Sequence, residues 1–276
     1  FPSCHMFEGE FLAENSPEPR LGLIAPLNDG RIMGEAFVGK LAGVLADYDF
    51  DGWHAADYFS APWVGFMHPM DCLIRAFAQK NKRLDLPDFL SENADLDDAA
   101  RQRKLKYLQR FHWREWNSHL ESLWLGFWQQ AFDAVHGLGK FIMANSPNTK
   151  SIFGALQYMN VDYRRLAEMG LDYLLVESCS ASCEIIWHNR PLLHEFCAAA
   201  AEMTAAMPNV KILTLQPVRD RVEGWDVFEH APCRFERDLH LVNTLSVIRN
   251  GELKRCSRGS VFCLGLRRTS GMADLS

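Results

Sequence analysis

The chain has 276 residues, of which 48% are hydrophobic and 23% charged, with a formal net charge of -6. That is material for one sizeable core, and it is the composition of a folded globular protein rather than a disordered one. The acidic balance and scattered basic residues exclude a broad nucleic-acid footprint, and no apolar run approaches the ~20 residues that span a bilayer.

In chain order, residues 21–26 (LGLIAP) form a short apolar run that predicts a strand, Asn28-Asp29-Gly30 a turn, and residues 34–46 a helix. A second strand is expected over residues 50–56. It is followed by a long insertion, about residues 58–110, which contains His68-Pro69 and an acidic stretch and suits an elaborated loop over a site. From 111 to 138 the apolar residues fall at helical spacing, predicting one long helix that Gly137 and Gly139 end. Residues 140–144 (KFIMA) then read as a strand delivering Asn145 and Ser146 into a loop.

Residues 161–169 predict a helix stopped by Gly170, and residues 171–176 (LDYLLV) a strand with Glu177 at its tip. An alanine-rich helix over 191–207 leads to a strand over 210–215 and the loop opening at Gln216-Pro217. Residues 239–248 and 261–264 are the last regular segments, with Asn250-Gly251 between them as a turn. Short apolar strands alternating with amphipathic helices imply an α/β fold with a parallel sheet. Five strands precede the final segments, so the expectation is a single domain over residues 1–276, a (β/α)8-type barrel whose first one or two units lie upstream.

Eight cysteines are present, but Cys179 and Cys183 form a CxxxC and Cys256 and Cys263 stand seven apart. Neither spacing is that of structural zinc, and the histidines lack HxH or HExxH patterns, so mostly buried, reduced thiols are expected, with no metal and no cofactor.

In a barrel the residues that follow each strand form the catalytic face. Those residues include Asp57, Asn145, Glu177 and Gln216. Two carboxyl groups on different strands can divide labour, one ionised as nucleophile and the other protonated as acid. Asp57 and Glu177 form that candidate pair. His54, Trp63, His68, Asn145 and Gln216 are candidate contacts for sugar hydroxyls or sugar rings, whereas Trp53 is expected to pack between sheet and helices.

The segment Asp49-Phe50-Asp51-Gly52-Trp53-His54-Ala55-Ala56-Asp57, with residues 140–145 and 173–177, resembles the strand segments of barrel glycoside hydrolases, particularly family 66, the dextranases and cycloisomaltooligosaccharide glucanotransferases. The resemblance extends over about residues 21–216. It implies a retaining glycosidase or transglycosylase acting on an oligosaccharide or polysaccharide, with Asp57 as nucleophile and Glu177 as acid/base. One departure is that the family's nucleophile position falls here on Ala56, with the acid one residue later. A bulge at Ala55-Ala56 would re-aim Asp57; otherwise the chain is a carbohydrate-binding or interaction barrel without turnover.

Overall fold

The computed structural model describes residues 23–24, 31–55, 59, 61–62, 71–94, 97–146, 152–177, 193–220, 225–226 and 232–264. They fall into two compact units. The first comprises Phe1–Ile142 with Leu156–Gly170, and the second Met143–Ala155 with Leu171–Ser276.

The first unit is mainly helical. Helix α1 (Met33–Asp47) starts where Glu35 Oε2 accepts the Ile32 N–H at 3.1 Å, and it buries Met33, Ala36, Val38, Leu41 and Leu45. The strand expected over 21–26 is not formed at its described residues: Leu23 and Ile24 make a buried turn. The Leu23 carbonyl accepts the Gly34 N–H at 2.8 Å, so this apolar pair is satisfied by docking on α1 rather than by a sheet ladder. Gly34 permits the approach, since a Cβ there would stand 2.8 Å from that carbonyl oxygen and 2.7 Å from the Phe127 ring.

Strand β1 (Gly52–Ala55) lies beside the start of β2 (Phe141–Asn145), where the Phe141 N–H donates to the Asp51 carbonyl at 2.9 Å. The region read as an insertion carries helix α2 (Asp71–Lys80), a 3-10 turn (Asp88–Leu90) and helix α3 (Asp98–Phe111), which Asp97 caps by accepting the Ala100 N–H. The expected long helix begins slightly later than its apolar spacing suggests. His112 leaves the helical conformation (φ -136°, ψ 33°), dividing α3 from helix α4 (Trp113–His136).

The insertion is anchored by packing and charge. Phe77 meets the Trp116 ring edge-on at 5.4 Å. Asp71, fully buried, accepts from Lys104 Nζ at 2.5 Å, Arg75 Nε at 2.6 Å and the Ala94 N–H at 3.1 Å, while Lys104 also donates to the Glu92 carbonyl. This links α2, the loop before α3 and α3 itself. Burial raises the Asp71 pKa, but the Lys104, Ala94 and Arg75 donors together outweigh it and hold the carboxyl below its ordinary value. Trp53 packs as expected, within 5.0–6.4 Å of Phe37, Phe59, Phe127 and Trp128. Helix α6 (Tyr163–Met169) completes the unit, capped by Asp162 at its start and by Gly170, whose φ of 118° suits glycine, at its end. It is tied to α4 by the 3.0 Å Arg165–Glu121 ion pair.

The chain passes from the first unit to the second within β2, returns to the first within helix α5 (Ile152–Met159), and enters the second again after Gly170. The second unit is built on a sheet. Strands β3 (Tyr173–Glu177), β4 (Lys211–Asp220) and β8 (Ser260–Leu264) extend it, with β2, β3, β4 and β8 adjacent in that order and parallel. Helix α7 (Leu193–Ala206) connects β3 to β4. The short β5 (Trp225–Asp226) turns back antiparallel on β4, and helix α8 (Pro232–Thr244) follows.

The single segment expected over 239–248 is instead the end of α8 and then β6 (Ser246–Arg249), which pairs antiparallel with β7 (Glu252–Arg255). The predicted turn joins them: Asn250 and Gly251 have φ of 52° and 80°, the positive values a two-residue hairpin demands. The fold is therefore α/β with a parallel sheet. Among the described residues no helix is long and apolar enough to cross a membrane. Cys72, Cys197, Cys233 and Cys256 form no disulfide, and of these only Cys256 is buried; Cys72 and Cys197 are half-buried and Cys233 is exposed.

Candidate functional site at the carboxyl edge of the sheet

In the second unit, register sets the strand ends side by side. Met143, Ala144 and Asn145 of β2 pair with Tyr173, Leu174 and Leu175 of β3, and β3 pairs through Glu177 with Leu215 of β4. Asn145 ends β2 and Glu177 ends β3. Because partners in a parallel ladder point to the same face and alternation has a period of two, Asn145, Leu175 and position 177 are in phase. Gln216 follows one residue later on β4, paired with Phe262 of β8.

The two faces of this sheet differ. Ala144, Leu174, Val176, Ile212 and Thr214 are all buried, as a face under helices must be. On the alternate face Met143, Tyr173, Leu213 and Leu215 are half-buried and Lys211 is exposed, its Nζ 3.0 Å from the Tyr173 hydroxyl, while Leu175 in the middle of β3 is buried. At the carboxyl end of that face Asn145 is buried, 4% exposed. Ser146 follows it, with its side chain wholly buried and its N–H donating to the Leu175 carbonyl at 2.8 Å, so β2 stays fastened to β3 one residue beyond its formal end. A buried amide and a buried hydroxyl at a strand tip are a polar investment that an all-apolar core would not need.

Asn145 and Glu177 thus meet the expectation of neighbouring strand tips, and Gln216 lies within β4 rather than in a loop after it. The side chains of Glu177 and Gln216, and residues Asp57, Trp63 and His68 entirely, lie outside the described residues. His54, in the first unit, is exposed on β1 and alternates with the buried Trp53 and Ala55, so it is not a core histidine. Among the described residues no group of three or more His, Cys, Asp or Glu side chains is placed to hold a metal ion.

Two polar features escaped sequence reasoning. Ser146 was legible only as the residue after Asn145. The second feature is a link between elements distant in sequence: the hydroxyls of Thr214 and Ser260 are 2.8 Å apart, and Ser260 donates to Asn243 of α8 at 3.2 Å. No spacing rule joins positions 214, 243 and 260. No family model, no curated protein and no solved structure matches the chain.

Proposed function

We propose that the protein acts on carbohydrate as a glycoside hydrolase or transglycosylase, with Glu177 as general acid/base and Asn145 beside it as a binder of substrate hydroxyls. The observation that supports this reading is the in-phase placement of Asn145 and Glu177 at adjacent carboxyl ends of a parallel sheet. Strand ends of that kind are where α/β folds collect ligand and catalytic groups. The finer architecture we propose is a (β/α)8-type barrel, for which the parallel order of β2, β3, β4 and β8 and the contrast between the sheet's two faces speak.

In the retaining reaction one carboxylate attacks the anomeric carbon while the acid protonates the departing glycosidic oxygen; the deprotonated acid then activates water, or an acceptor hydroxyl, to release the sugar. Glu177 takes the acid/base part. Asp57, two residues beyond β1, takes the nucleophile part that the sequence resemblance gives it. Trp63, His68, His54 and Gln216 complete the proposed sugar contacts.

Steady-state kinetics on a panel of oligosaccharides and aryl glycosides tests the assignment. Glu177→Gln should lower turnover of poor leaving groups by at least ~10²-fold while sparing activated aryl glycosides in part. Asp57→Asn should remove the covalent intermediate with every substrate, read by trapping and mass spectrometry. Full activity in both variants would overturn the roles. A parent chain that hydrolyses nothing yet binds glycans would make it a binding domain instead.

A further inference from the structure

We propose that the cleft between the end of α2 and the first half of α4 binds phosphate, as the free ion or as the phosphoryl group of a small molecule. The site lies wholly in the first unit and does not depend on the glycosyl reading. Lys80, Arg83 and Arg114, all exposed, line one open cleft of about 350 Å³. In a chain of net charge -6, three cations around one hollow are not explained by overall charge. None of the three has a carboxylate partner among the described residues, although Glu115 stands in the same wall. Like charges gathered without a counter-ion repel one another, weakly where solvent and salt screen them, and an oxyanion between them relieves that repulsion.

The wall supplies hydrogen-bonding groups as well as charge. Arg114, Ser118 and Ser122 recur every four residues along α4 and so share a face, the Ser122 hydroxyl donating to the His119 carbonyl at 2.8 Å and so left as an acceptor. His119, in the same wall, is buried with its Nε2 lacking any hydrogen-bond partner. Burial, and then the nearby Lys80 charge, lower its pKa to about 4, so at neutral pH the ring is an uncharged hydrogen-bonding group. The C-terminal carbonyls of α2 would repel an anion, but one of them is occupied: the Phe77 carbonyl accepts both the Asn81 N–H, at 3.0 Å, and Asn81 Nδ2, at 2.9 Å.

Two arginine forks and an ammonium suit the several oxygens of a phosphate. The volume is at the small end of ligand cavities, which run from about 300 to 1,000 Å³. It has room for a phosphorylated molecule of monosaccharide size, and Glu115 with the serine hydroxyls can meet the hydroxyls of such a ligand.

Isothermal titration calorimetry on the full chain, at ionic strength held constant with sodium chloride, decides the matter. Inorganic phosphate should bind with saturation at one site. Arg83→Gln/Arg114→Gln should weaken it by at least about tenfold, the loss expected when charge-assisted hydrogen bonds go. Lys106→Gln, which removes an exposed charge from α3 outside the cleft, should leave it unchanged. Lys80→Gln, a single exposed change, gives an independent reading if the double variant loses its native circular dichroism. A hexose monophosphate titrated in parallel separates the sources: tighter binding than inorganic phosphate marks a phosphorylated ligand, and equal binding marks the free ion. Absence of saturation, or equal weakening by Lys106→Gln, would overturn the site.

Discussion

The two units bury their interiors with different materials. In the first, large rings do most of the filling: Trp116, Trp124, Trp128 and Phe132 on α4 are all at most 1% exposed, and Trp53, Phe59 and Phe127 pack ring against ring. In the second, the buried face of the sheet is made of Ala144, Leu174, Val176, Ile212 and Thr214, small or aliphatic side chains set by strand alternation. A helix stripe of rings leaves irregular spaces between helices, and the first unit closes them with polar staples such as Trp124 Nε1 donating to the Phe59 carbonyl at 3.2 Å. A pleated sheet meets its partners on a regular surface and satisfies its polar backbone through its own ladder. Among the described residues buried charge sits in the helical unit, at Asp71 and Lys104, and in the sheet Asn145 stands at a strand end while Thr214 is paired within β4 to Ser260.

The comparison is sharpened first by truncating one core residue in each unit. Trp128→Ala should cost about 4 kcal/mol and Leu174→Ala about 3 kcal/mol, measured by denaturant unfolding, because the indole leaves the larger cavity. Equal losses would show that ring packing confers no special weight on the first unit. Next is the buried ion pair. Lys104→Met leaves the Asp71 carboxylate with Arg75 and the Ala94 N–H but without its closest cation, and should destabilise by about 3 kcal/mol. Asp71→Asn should lose less than Lys104→Met if the uncompensated charge is the main cost.

The pH dependence of unfolding separates the two titrating groups of that same unit. The folded pKa of His119 is about 4 against 6.5 for the free side chain. Between those values the unfolded chain binds the extra proton, so its contribution to stability is complete above 6.5 and declines as the pH falls toward 4. His119→Leu should flatten that slope. Asp71 has its pKa depressed, so its contribution is present above the ordinary carboxylate pKa and disappears only as the pH falls through the lower folded value. The smallest expected effect is at Gly170, where φ is 118° and an added Cβ would approach the His136 ring at 3.1 Å. Gly170→Ala should cost about 1 kcal/mol, read as a shift in thermal midpoint.

Much of the element order was written in periodicity. The apolar spacing of residues 111–138 announced α4, the run 171–176 announced β3 with Glu177 at its tip, and Asn250-Gly251 announced the hairpin turn. The misread elements share a cause. Residues 21–26 are as apolar as a buried strand, yet Leu23 and Ile24 turn, because a short apolar run fits any buried conformation and only its neighbours, here α1 and Gly34, choose. The break at His112 likewise lies inside a stripe that continues at helical spacing.

For the candidate site, the sequence by itself determined which polar residues end the strands, since Asn145 and Glu177 are each the first polar residue after an apolar run. The cleft on α4 was half visible, because Arg114, Ser118 and Ser122 stand at spacing that shares a helix face. Only tertiary structure decided that Lys80 and Arg83 line the same hollow. It alone decided that Asn145 pairs with Leu175 two positions before Glu177, and that Lys104, 33 residues from Asp71, is its buried counter-ion. Local pattern records only whether a side chain meets water or core. Register and ion pairing depend on which distant segments come together, and that is settled by the packing of the whole unit.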